Sequence, residues 1–114
     1  MVQKKNPLKL NPLQLRTLTL LQAVARIPEV AEDDPETGGK RISRFPRPHG
    51  DHFHLGDAVV SSSDATGLQN QAVWNALERK GLARADWPAA ITLLPEGLSY
   101  DTEMTDLILH RATH

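Results

Sequence analysis

The sequence predicts a small α+β domain, and three observations carry that expectation. A tight turn at Gly67-Leu68 runs straight into one amphipathic segment that stops at Gly81, as a helix-turn-helix unit does. An earlier segment, Pro12 to Arg26, repeats apolar residues at three- and four-residue spacing behind an Asn-Pro start. After Gly81, the runs Leu82-Ala83-Arg84 and Ala90-Ile91-Thr92-Leu93 flank a five-residue connection containing Pro88, which reads as a β-hairpin.

Taken in chain order, the first helix is expected from about Pro12 to Arg26, with Asn11 as its cap and Leu13, Leu18, Leu21, Val24 and Ala25 on its apolar stripe. Ile27-Pro28 closes it. The stretch at about 28–50 holds, from Pro28 to Pro48, four prolines, two glycines and alternating blocks of acid and base, a composition that favours an exposed charged loop. Its anchors are Val30, Ile42 and Phe45, which either pin it to the core or form a short strand. Phe53, Leu55, Val59 and Val60 then suit a strand leading toward the next helix. Ser61-Ser62-Ser63-Asp64 has capping-box spacing with Asp in place of Glu or Gln, so a short helix to about Thr66 is expected. Gly67 supplies the positive φ of a sharp interhelical turn. The main helix runs from about Asn70 to Lys80, with Val73, Ala76 and Leu77 facing the core. Beyond the hairpin, Pro95-Glu96-Gly97 opens a last helical stretch toward Leu109.

Composition bounds the functional classes. The 114 residues suit one domain with a modest core. No run of 18 apolar residues and no apolar segment behind the N-terminal lysines is present, so the expectation is a cytoplasmic protein with no membrane contact. There is no cysteine, which removes disulfides, thiolate ligands and thiol nucleophiles. The net charge of −1 conceals strong segregation. Residues 1–26 carry Lys4, Lys5, Lys9, Arg16 and Arg26 and no acid; 27–38 carry Glu29, Glu32, Asp33, Asp34 and Glu36 and no base; 39–49 carry Lys40, Arg41, Arg44 and Arg47. From residue 50 onward nine acids face four bases. Basic segments of this kind can track phosphates, while the near-neutral whole limits non-specific affinity for nucleic acid.

Two stretches resemble a known family. Asp64-Ala65-Thr66-Gly67-Leu68-Gln69-Asn70-Gln71-Ala72-Val73-Trp74-Asn75-Ala76-Leu77 is similar to the turn and recognition helix of winged helix-turn-helix bacterial transcription regulators. Leu77-Glu78-Arg79-Lys80-Gly81-Leu82 and Thr92-Leu93-Leu94-Pro95-Glu96-Gly97 resemble the pieces that frame the wing in the multiple-antibiotic-resistance-regulator type. The resemblance covers about residues 11–104, between a basic arm at 1–10 and a tail or helix end at 105–114. It implies a three-helix core, a small antiparallel hairpin wing and a C-terminal helical stretch. It also implies sequence-specific binding of duplex DNA in transcription regulation. Gln69, Asn70, Gln71, Trp74 and Asn75 would face the major groove, with Arg79, Arg84, Lys4, Lys5 and Lys9 adding positive charge. The sequence departs from the family at three points: Ser63 stands where a small apolar residue is usual, the helix lacks the arginine or lysine common on its reading face, and Arg84 stands against Asp86 where a basic wing tip is expected. Winged helices also serve as protein-interaction modules, and exposed Trp74, Trp87 and an apolar C-terminus would suit that alternative.

Several residues admit more than one role. Trp74 lies one position off the apolar stripe and is either a contact residue or a lid over the wing. Trp87 either touches a partner or folds back. His49, His52 and His54 form H-x-x-H-x-H, with His52 and His54 on one face if the segment is a strand. A zinc site would need a further ligand such as Asp51 or Asp57, and no second cluster has standard spacing, so neither a metal nor another cofactor is expected. No phosphate loop, nucleophile elbow or HExxH is present. The serines at 61–63 read as caps, and no enzymatic activity is expected. Met104, Leu107, Ile108 and Leu109, with Leu13, Leu18 and Leu21 as partners, suggest a homodimer whose two-fold axis doubles the reading surface.

Overall fold

The chain builds around its first helix. α1 spans Pro12–Ala25 in the computed structural model, which describes residues 6–45 and 50–111. Asn11 accepts the Gln14 N–H at 2.8 Å, and the Gln14 side chain accepts the Asn11 N–H at 3.0 Å, a reciprocal capping box. The helix is not the one-sided element its leucine spacing implies, because every residue from Thr17 to Gln22 is buried. Its polar members find partners. Thr17 and Thr19 donate to the carbonyls of Leu13 and Leu15, each at 2.8 Å. Thr19 also bonds Thr102, and Gln22 Nε2 donates to the Gly97 carbonyl at 2.8 Å and the Tyr100 carbonyl at 2.7 Å. A helix surrounded on all sides is stable only with its polar groups satisfied in this way.

The stretch expected as a charged loop is a β-hairpin. β1 (Ala31–Asp34) pairs antiparallel with β2 (Gly39–Ile42), placing Glu32 opposite Arg41, Asp33 opposite Lys40 and Ala31 opposite Ile42. The acidic and basic blocks of the sequence are therefore two strands facing each other, and Lys40 bonds Asp33 directly. Opposite charges across a strand pair contribute roughly 0.2–1 kcal/mol each. Ala31 and Ile42 are buried and supply the apolar anchorage that composition obscured. At the turn, the Asp34 carboxylate accepts from the Thr37 hydroxyl at 2.7 Å and from the Glu36 N–H at 3.3 Å, and such Asx geometry makes the polar connection specific.

The next segment forms a second hairpin, β3 (His52–Leu55) with β4 (Ala58–Ser61). The short helix expected to about Thr66 is a 3-10 segment, Ser62–Gln69, and Ser61 makes no side-chain cap bond. The Ser61 hydroxyl meets that of Ser63 at 2.9 Å, and Ser62 donates to the Gly50 carbonyl at 3.1 Å. Those serines tie the 3-10 segment to itself and to the start of the second hairpin. Gly67 has no positive φ. It is required by proximity, since a Cβ built there would lie 1.8 Å from Thr17 Oγ1.

α2 (Gln71–Arg79) follows and ends as its sequence predicts. Gly81 takes φ +76°, the Leu82 N–H bonds the Leu77 carbonyl, and the Gly81 N–H bonds that of Glu78, both at 3.0 Å, which completes a Schellman motif. β5 (Ala83–Asp86) and β6 (Ala90–Leu93) form the expected hairpin. It is not a free-standing wing, because β2 pairs with β6 to give a four-stranded antiparallel sheet in the order β1-β2-β6-β5. Every residue of β6 is buried.

The last helical stretch is broken into α3 (Pro95–Ser99) and α4 (Thr105–Ile108). Tyr100 to Met104 separates them, held by the Gln22 and Thr19 side chains. β7 (His110–Arg111) then joins β4, completing the antiparallel sheet β3-β4-β7. The N-terminal arm is tied back from residue 6, where Asn6 accepts from the Tyr100 hydroxyl at 2.6 Å and from the Leu10 N–H at 2.9 Å. The result is a compact α+β arrangement of short helices and two antiparallel sheets, with a radius of gyration of 13.5 Å. It differs from a three-helix core with one small hairpin in having a 3-10 segment for the middle helix and seven strands among the described residues. No helix of the described residues is long and apolar enough to cross a membrane.

Candidate nucleic-acid interface

The candidate surface is the outer face of α2. Val73, Trp74, Ala76 and Leu77 turn inward and are buried, whereas Gln71, Ala72, Asn75, Glu78 and Arg79 are exposed. Gln71, Asn75 and Arg79 stand four residues apart, so they share one ridge of the helix. Gln69 is exposed just ahead of it.

Two residues expected on this face are placed elsewhere. Asn70 is the N-cap, its Oδ1 accepting the Ala72 N–H at 3.0 Å and the Val73 N–H at 3.4 Å. Its acceptor is thereby committed to the helix start. Trp74, expected to face the groove, is only 1% exposed. Its ring packs edge-on against Trp87 at 4.7 Å and at a tilt of 43° against Phe45 at 5.4 Å. Among the described residues Trp74 Nε1 has no hydrogen-bond partner. A residue next to the apolar stripe is buried here because Phe45, from the end of β2, and Trp87, from the β5–β6 connection, close over that side of α2. Sequence spacing along one helix carries no record of that lateral cover. Trp87 itself is half-buried, so it folds back onto the domain.

The cationic groups are dispersed. Arg79 and Arg84 are exposed. Arg84 and Arg41 both pair with Thr92, one on each side of β6, so the three stand in a row across one face of the sheet. Thr92 is nevertheless buried. Flanking arginines cover such a position with their stems while the charged heads reach water. In the sequence Arg41 is one member of a basic block, and its place beside Arg84 follows from the β2–β6 pairing. Its guanidinium lies 3.4 Å from the Asp86 carboxylate, which tempers its charge. Lys9 is exposed with φ +57°; Lys4 and Lys5 lie outside the described residues.

The histidines occupy a separate site. His52 and His54 are exposed on β3, with Phe53 and Leu55 buried between and beyond them. Asp51 lies 3.0 Å from His52 Nδ1. That hydrogen bond, a bond from its own backbone and the nearby imidazole charge hold the Asp51 carboxyl below its usual pKa. His49 falls outside the described residues. Among the described residues no group of three or more histidine, cysteine or carboxylate side chains is placed to hold a metal ion.

Apart from Leu107, the apolar residues expected to pair two copies are wholly or partly covered within one. Leu18 and Leu21 are fully buried in the core, Ile108 is buried, and Leu13, Met104 and Leu109 are half-buried. Leu107 is the one large hydrophobic exposed among the described residues. The apolar C-terminal face therefore has its cover in this chain. Two shallow cavities lie elsewhere on the described surface. One of 470 Å³ lies between α1, the first hairpin and Leu98, and one of 420 Å³ lies between the end of α1, the β3–β4 turn and Leu109-His110. No family model, curated protein or solved structure matches the chain.

Proposed function

We propose that this chain is a small winged-helix-like domain that binds duplex DNA with α2 as its reading element. The observation that carries the reading is the uncovered ridge of Gln71, Asn75 and Arg79 on a helix whose other side is locked by Val73, Trp74 and Leu77. An amide side chain can bond the adenine edge through two atoms, and an arginine the guanine edge, so a rigid ridge of these types suits the major groove. Rigidity matters because each side chain held in place loses less conformational freedom on binding. Arg84 and Arg41 flank Thr92 on the sheet and are suited to phosphate oxygens beside the helix. The near-neutral whole implies weak non-specific binding, so discrimination would rest on base contacts. Trp74, a contact residue in both the DNA and the interaction-module readings, is buried, so neither reading rests on it.

Selection from a random duplex pool, followed by binding measurements on the enriched site, tests the proposal. Gln71→Ala and Asn75→Ala are expected to weaken the selected site by about 1–3 kcal/mol each and to leave random duplex almost unaffected. Arg84→Ala should weaken both alike and lower the salt dependence. No enrichment, or unchanged affinity in both amide variants, refutes it.

A further inference from the structure

The exposed face of β3 carries a feature independent of α2. We infer that His52 and His54 form a bidentate chelate for a divalent first-row transition ion of the nickel–copper–zinc series. Three properties of the strand support it.

The first is fixed geometry. Phe53 and Leu55 are buried, so the alternation of the strand holds the intervening His52 and His54 on its outer face. Their ring centroids lie 5.6 Å apart with the planes at 77°. Two imidazoles bound to one ion at bonds of about 2.0–2.1 Å place their centroids about 4.5–5.2 Å apart for angles between square and tetrahedral. The observed centroid separation thus lies within about an ångström of a chelate's, and rotation of two exposed side chains supplies the rest.

The second is preparation of the donor atom. The Asp51 carboxylate at 3.0 Å from His52 Nδ1 favours the tautomer with its proton on Nδ1, leaving the Nε2 lone pair directed outward. A carboxylate behind a histidine orients the ring and raises its basicity as a ligand. The third is availability, because His54 is exposed and its ring has no hydrogen-bond partner among the described residues.

The chelate stops at two protein ligands. His54 pairs with Val59 and Val59 with His110, so His110 stands two strands away, roughly 9–10 Å across the sheet. Among the described residues no third histidine, cysteine or carboxylate is placed with this pair to hold an ion. Water completes the coordination shell, and selectivity follows donor type: imidazole nitrogen favours copper over nickel and zinc and excludes magnesium.

The test is calorimetric titration of the full chain with nickel chloride, paired with amide NMR spectra at low copper. Copper is expected to broaden His52, His54 and their cross-strand neighbours Ser61 and Val59 first. His52→Ala and His54→Ala should each lower nickel affinity at least about tenfold, because two donors on one strand act at high effective concentration. Asp51→Asn should give a smaller loss, and His110→Ala none. Cross-strand contacts of Phe53 with Val60 and of Leu55 with Ala58 that persist in the variants' NMR spectra show that β3 is intact. Broadening centred on other histidines, or undiminished nickel affinity in His54→Ala, overturns the inference.

Discussion

Gly67→Ala separates two explanations for one residue. If Gly67 served a left-handed turn, the penalty would be conformational and indifferent to its neighbours. Its φ is not positive, and the added methyl would sit 1.8 Å from Thr17 Oγ1, 3.1 Å from Thr17 Cβ and 3.3 Å from Leu13 Cδ1. Either Thr17 leaves its rotamer and gives up its 2.8 Å bond to the Leu13 carbonyl, or α1 and the 3-10 segment move apart. Overpacking of this kind costs about 1–3 kcal/mol, and the lost hydrogen bond about 1 kcal/mol. Lower entropy of the unfolded chain returns about 0.4–1 kcal/mol. A net loss of roughly 1.5–3 kcal/mol is expected, a large share of the 5–15 kcal/mol typical of a domain. Urea unfolding of the wild type, both single variants and the Gly67→Ala, Thr17→Ala double variant measures it. Removing Oγ1 leaves only contacts of 3.1 and 3.3 Å, so the alanine penalty should fall by at least about 1 kcal/mol in the Thr17→Ala background. An equal penalty in both backgrounds refutes the steric argument.

Other outcomes follow from the same geometry. Asn70→Ala removes the acceptor for the Ala72 and Val73 N–H groups and should cost about 1 kcal/mol in urea unfolding, whereas Gln71→Ala, fully outside the fold, should change stability by less than about 0.5 kcal/mol. Gly81→Ala meets no atom within 4 Å but sits at φ +76°, so its expected cost of about 1–2 kcal/mol is purely conformational, and a neutral result in thermal melts would refute that. The Asp51 carboxyl, lowered first by its bond from His52, should titrate closer to its ordinary value in His52→Ala when followed by carbon NMR. Because its folded pKa is depressed, its contribution to stability is present above the unfolded value and is lost as pH falls through the folded one. With Leu18, Leu21 and Ile108 buried within the chain, sedimentation at micromolar concentration is expected to give a monomer; a dimer broken by Leu107→Glu would refute this.

Local signals settled where two helices start and stop. Asn11-Pro12, with Gln14 behind it, set the start of α1, and Gly81 set the end of α2, because caps are made by atoms within a few residues of each other. The period of Val73, Ala76 and Leu77 placed the inner face of α2, and with it the exposed Gln71, Asn75 and Arg79. The tertiary structure decided whatever depended on partners far along the chain. Residues 31–42 look like a charged loop until Glu32 meets Arg41, Asp33 meets Lys40 and β2 joins β6, since strand pairing is a contact between segments and not a preference of either. Trp74 becomes core only when Phe45 and Trp87 arrive over it, and α1 becomes the central helix only when Gly97, Tyr100 and Thr102 receive its polar side chains. Sequence spacing fixes which residues share a face; only the packed chain decides which faces are left for a partner.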